Sequence, residues 1–154
     1  MTDTEHTYRT HLMWEGSTGA GYTGYGRGHT AIAPPAITEI ALSAGPQFRG
    51  DSELTNPEQL LVMAASSCQL LSFLAIAARH DVDVLTYDDE AVGVMPADST
   101  PMRITTITLA PRIVVAGGTD IALVEWMVQQ AHEACYIANS LTTQVTVAPR
   151  VIHR

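Results

Sequence analysis

The feature that most constrains this chain is the run from Leu60 to Ala78, which carries no charged residue at all. It is preceded by Thr55-Asn56-Pro57-Glu58-Gln59. That segment offers an N-cap from Thr55 or Asn56, a proline for the first turn, and a Glu or Gln three residues on to close a capping box. The spacing predicts a helix from here to about Arg79-His80, whose basic side chains suit a C-terminus. Apolar nearly all round, such a helix is expected to be buried on every side. One domain of 154 residues can hardly wrap it, so a second subunit is expected to cover part. The run is long enough to raise a membrane question. Ser66, Ser67, Gln69 and Ser72 interrupt it, and no basic or aromatic belt flanks it. A buried helix, with no membrane partner, is the better reading.

On either side the pattern is β. Tyr8 to Glu15, Tyr22 to Ala33 and Ala36 to Ser43 read as strands, parted by a Gly-rich turn and by Pro34-Pro35. After the helix, Val82 to Met95 and Met102 to Ala116 are strand-like. Thr105, Ile107 and Leu109 share one face of the second, and Pro111 marks an edge or bulge. Thr119 or Asp120 caps a second helix, Ile121 to about Ala138. Its apolar stripe is Val124, Met127, Val128, Ala131, Ala134, Cys135 and Ala138. Thr142 to Val151 closes the chain as a strand. The order predicts one α+β domain over residues 1–154. Tyr87-Asp88-Asp89-Glu90 reads as a solvated strand end.

Composition narrows the function. The net charge of −8 leaves no basic patch to neutralise phosphates, so nucleic acid is not expected as a partner. All eight basic residues are arginine, which removes Schiff-base chemistry. Met1 to His6 is polar and acidic, unlike an export signal. A reducing, cytoplasmic location is therefore expected, where two cysteines are reactive groups rather than a permanent staple.

Those cysteines are Cys68, mid-way along the first helix, and Cys135, on the second. Spacing alone favours the plainer reading of two buried core thiols. Apolar surroundings disfavour a thiolate, so a reactive Cys68 needs a cation brought by another segment. His132 and Cys135 share a helix face, and with Cys68 they offer three ligands to zinc. No CxxC or HExxH motif accompanies them, and no metal is expected. A hydrolase with Cys68 as nucleophile and His132 as base lacks any nucleophile elbow or oxyanion turn.

These residues resemble a known family. Trp14-Glu15-Gly16, then Asn56-Pro57-Glu58-Gln59-Leu60-Leu61 with Ala64-Ala65 and Cys68, then Ala131-His132-Glu133-Ala134-Cys135 with Asn139, are similar to the signatures of OsmC/Ohr proteins in order and separation. The resemblance implies an OsmC-like fold: antiparallel sheets around a long buried central helix in an intertwined homodimer. It implies a thiol peroxidase for organic hydroperoxides, with Cys68 peroxidatic and Cys135 resolving, no cofactor, and an external dithiol of the lipoyl type as reductant. It further implies an arginine ahead of the Asn-Pro-Glu motif. Arg49, in Gln47-Phe48-Arg49-Gly50, fills that place. Arg27, in a Gly-rich turn, is the alternative, and Glu58 resembles the glutamate that holds the arginine. Two positions depart from the better-known members: Gln69 stands where they usually have Phe, and Tyr136 where they have Pro. Without that proline the second helix is expected to run on past Cys135. A non-catalytic, small-ligand-binding dimer on the same scaffold is the competing function.

Overall fold

The computed structural model describes residues 4–154. Their contacts divide the chain into two compact units, meeting in sequence at Leu60. The first is an antiparallel meander of β1 (His11–Met13), β2 (His29–Ile32) and β3 (Ile40–Leu42). A 3-10 turn, Pro46–Phe48, follows. It is closed by Arg49, whose φ of 65° lies in the left-handed region and whose N–H reaches the Pro46 carbonyl. At Gly50 a Cβ would stand 1.6 Å from the Ala44 carbonyl oxygen, so no other residue fits there. Tyr22 to Arg27, expected as strand, forms turns instead. Its backbone carbonyls bond to the Trp14 and Arg27 side chains rather than to a neighbouring strand.

Helix α1, Pro57–Arg79, bridges that sequence boundary. Asn56 and Gln59 form the capping box reciprocally: each side chain accepts from the other's backbone N–H, at 2.9 and 3.0 Å. Within the chain only one stripe of α1 is buried, at Ala65, Gln69, Phe73 and Ala77, spaced by four. Met63 and Leu71 remain 51% and 63% exposed. The burial expected on every side is thus not supplied by one chain alone. By length and composition α1 could also cross a membrane. Ser66 and Gln69, however, spend their polar groups on protein partners, Asp89 and Val128.

The second unit is built on three extended segments, each broken in two. They are β4 (Val84–Asp89) with β5 (Val92–Val94), β6 (Thr106–Leu109) with β7 (Pro111–Val115), and β8 (Gln144–Val147) with β9 (Arg150–His153). Each segment gives one of its halves to each of two sheets, β4-β7-β9 and β5-β6-β8. In each sheet the middle strand has one antiparallel and one parallel neighbour. The parallel pairs arise because α2 (Ile121–Glu133) and α3 (Tyr136–Asn139) form the crossover between them. Pro111 and Pro149 sit at the breaks, where a residue without an N–H cannot continue the ladder. The side-chain alternation nevertheless runs straight through: Ile107, Leu109, Pro111, Ile113 and Val115 are all buried. Ile107 and Leu109 pack with Ala65, whereas Ile113 and Val115 pack with Phe73, Val124, Met127 and Val128.

Asp89 holds the bend. Its carboxylate accepts the Ala110 N–H at 2.7 Å, and its other oxygen accepts the Ser66 hydroxyl from α1. The acidic run is therefore not simply solvated: Asp88 and Glu90 are exposed, but Asp89 is half-buried and structural. Removing it leaves two donors unpaired, and a hydrogen bond to a charged group contributes roughly 1.5–3 kcal/mol. Asp89→Ala is expected to lower stability in urea by about 2 kcal/mol, and Asp88→Ala by less than about 0.5 kcal/mol. Equal midpoints for the two variants would reject this role for Asp89.

Candidate active site

Cys68 lies mid-way along α1 and is half-buried; Cys135 is 1% exposed; both are free thiols. Cys135 is not inside a helix. Contrary to the expectation that α2 would continue past it, α2 stops at Glu133 and α3 starts at Tyr136, with Cys135 between them in extended backbone (φ −69°, ψ 111°). The break needs no proline because side chains satisfy the free backbone groups. Asn139 Nδ2 donates to the Glu133 carbonyl at 2.9 Å, and the Cys135 sulfur accepts from the Ala138 N–H at 3.5 Å. Asn139 thus has a definite task, the capping of α2.

Burial pushes the Cys135 thiol above its ordinary pKa, and the neighbouring Cys68 side chain pushes the same way. The Ala138 and Ile137 N–H groups act in the opposite sense without reversing it. Cys135 is therefore held as a thiol at neutral pH, with Cys68 among the neighbours that keep it so. Burial also raises the Tyr87 phenol, and the charge of Asp89 adds to it. Tyr87 packs on Phe73 at 5.8 Å between ring centroids, and its hydroxyl is buried without a hydrogen-bond partner. The same holds for His132 Nδ1 and Gln69 Oε1. Among the described residues, no group of three or more His, Cys, Asp or Glu side chains is arranged to hold a metal ion.

The other site candidates lie on the first unit. Arg49 is exposed at the end of the 3-10 turn. Glu58 is half-buried in the first turn of α1, and because Asn56 and Gln59 do the capping its carboxylate is not used there. Arg27 is heavily engaged: its guanidinium donates to the carbonyls of Tyr25 and Tyr22 at 2.7 and 2.8 Å and sits 4.1 and 4.8 Å over their rings. It lines a cavity of about 360 Å³ with Leu12, Trp14, Tyr25 and His29. On the second unit a cleft of about 590 Å³ runs along Val62, Ser66 and Leu70 of α1, opposite residues 87–91. Phe73, one turn beyond Gln69 on α1, points into the core.

A bent α+β fold with two free thiols on α1 and at the α2–α3 break defines a class of protein, and comparison with known proteins names it. The family model described as OsmC-like protein matches residues 50–150, and the chain belongs to that family. Cys68, Cys135 and Glu58 fall inside the matched segment; Arg27 and Arg49 precede it. An OsmC-like protein of unknown function from Vibrio cholerae is 31% identical, with 96% of this chain and all of that one covered and a TM-score of 0.83. Two organic hydroperoxide resistance proteins share the fold. The one from Legionella pneumophila is 18% identical (95% and 96% of the two chains, TM-score 0.66). OhrB of Bacillus subtilis is 16% identical (96% and 98%, TM-score 0.65). The uncharacterised protein YmaD of Bacillus subtilis is 24% identical over 112 residues, 71% of this chain and 73% of that one.

Two features of the site are absent from the sequence reading. Asp89 is hidden in an acidic run that looks like surface. Gln69 carried a signal that could have been read: a polar residue on the buried i, i+4 stripe of an apolar helix demands a partner elsewhere in the fold.

Proposed function

We propose that this protein is a thiol-dependent peroxidase that reduces organic hydroperoxides to alcohols. The observation that carries the proposal is the pairing of two free thiols, one half-buried on α1 and one buried at the α2–α3 break, in a family that includes organic hydroperoxide resistance proteins. The Cys68 thiolate attacks the terminal peroxide oxygen; the O–O bond breaks, the alkoxide takes a proton and leaves as alcohol, and Cys68 becomes a sulfenic acid. The Cys135 thiol loses its proton and attacks that sulfur, expelling water and forming a disulfide. An external dithiol of the lipoyl type reopens it by exchange, supplies the two electrons and becomes a disulfide itself. Arg49 is the proposed cation for the Cys68 thiolate and the peroxide oxygens, with Glu58 orienting it. Arg27 is the weaker choice, since its donors are largely spent on backbone carbonyls. The exposed Met63, Leu71 and Leu74 of α1 support a homodimer, and a reducing cytoplasm is the proposed location.

The test is peroxide consumption with a dithiol supplied. An apolar organic group is worth roughly 0.8 kcal/mol per buried CH₂, so four carbons give about a hundredfold preference in kcat/KM for tert-butyl or cumene hydroperoxide over hydrogen peroxide. Equal efficiency would refute an organic-hydroperoxide site. No consumption of either would leave a non-catalytic ligand-binding dimer as the better reading.

A further inference from the structure

Gln69 follows Cys68 directly and is completely buried. Its Nε2 donates to the Val128 carbonyl at 3.0 Å, the one side-chain hydrogen bond between α1 and α2 among the described residues. Val128 lies one turn before His132, whose carbonyl in turn accepts the Cys135 N–H at 3.2 Å. A short chain of bonds therefore runs from the residue beside one sulfur to the residue that carries the other. The other end of the same amide, Oε1, is buried with no partner. An unpaired buried acceptor costs about as much as, or more than, one neutral hydrogen bond contributes. A methionine of similar volume would fill the space without that cost. Stability therefore does not account for an amide at this position.

We infer that Gln69 is a positioning residue for the dithiol: it holds α2 against α1 so that Cys135 stays within bridging reach of Cys68. A disulfide tolerates only a narrow range of Cα separations and dihedral angles. A lost tie between the helices lowers the effective concentration of one sulfur at the other, and the pair becomes harder to oxidise. The inference rests on the two-thiol reading only in taking Cys68 and Cys135 as a pair that bridges.

The experiment equilibrates wild type, Gln69→Met and Gln69→Leu in buffers of reduced and oxidised dithiothreitol, with no peroxide present. The fraction bridged is read by alkylation and mass spectrometry, and urea unfolding of the reduced proteins serves as the fold control. Gln69→Met is expected to keep or raise stability while shifting the dithiol–disulfide equilibrium about tenfold toward the dithiol, which is roughly 30 mV. An equilibrium within twofold of wild type in Gln69→Met overturns the inference. So does a wild type that forms no Cys68–Cys135 bridge at any ratio, or loss of fold in both variants, which would make Gln69 a folding residue. A wild type that bridges here yet ignores hydroperoxides, alongside the expected shift in Gln69→Met, would sink the peroxidase reading and leave this one standing.

Discussion

Cys68→Ser is expected to reduce organic hydroperoxide consumption by at least about a thousandfold, because a hydroxyl at that position is not ionised at neutral pH and cannot replace the thiolate. Cys135→Ser is expected to behave differently. Its Cys68 remains a nucleophile, so about one equivalent of peroxide is consumed, and turnover with the dithiol then falls well below wild type. With no second sulfur to condense with, a second and a third equivalent of peroxide, supplied in excess, carry the Cys68 sulfenic acid to the sulfinic and then the sulfonic form. Intact mass spectrometry reads this as a gain of two and then three oxygens. In wild type, one equivalent of hydroperoxide should instead yield a Cys68–Cys135 bridge within each subunit. The side-by-side placement of the two thiols motivates that pairing. Peptide mapping that finds only links between subunits, or none, would defeat the two-cysteine cycle.

A mixture of two inactive variants, Cys68→Ser and Glu58→Ala, should recover activity when subunits exchange. The reason is the length of α1. The helix is unbroken from Pro57 to Arg79, and Glu58 and Cys68 stand ten positions apart on it. At ~1.5 Å per residue that is roughly 15 Å along the axis. One chain's Glu58 therefore cannot orient an arginine that also touches the same chain's thiolate. If the triad of thiolate, arginine and glutamate operates, the carboxylate acts on the thiol of the other subunit, and an isologous dimer makes two such sites. A heterodimer of the two variants retains one site with both wild-type groups. Recovery toward half of the wild-type rate per heterodimer is expected. Mixed dimers confirmed by native mass spectrometry but still inactive would refute a shared site, and a monomer at micromolar concentration would refute it more directly.

Much of this fold is legible locally. The start of α1 is written in Asn56, Pro57 and Gln59, its end in Arg79, and the absence of Gly or Pro between them leaves nothing to break it. Asp120 is readable as the cap of α2, and its carboxylate accepts the Ala122 N–H. The two-residue period of Ile107 and Leu109 gives the buried face of β6 correctly, and that face continues to Val115. The functional positions are less evenly readable. Cys68 and Cys135 stand out as the only thiols, whereas Arg49 and Glu58 enter by family resemblance rather than by any pattern of their own.

The sequence by itself determined where α1 lies and where α2 begins, which face of β6 is apolar, and that thiol chemistry has only Cys68 and Cys135 to work with. These are signals between residues two to four positions apart, where backbone geometry alone decides which side chains meet. The tertiary structure decided the rest. It broke each long extended segment into two strands of different sheets, stopped α2 before Cys135, and brought that sulfur beside Cys68. It turned Asp89 from a surface acid into the clamp at Ala110, 21 residues away, and tied Gln69 to Val128, 59 residues away. Such pairings depend on which buried donor finds which acceptor once distant segments have packed, and no local spacing encodes that.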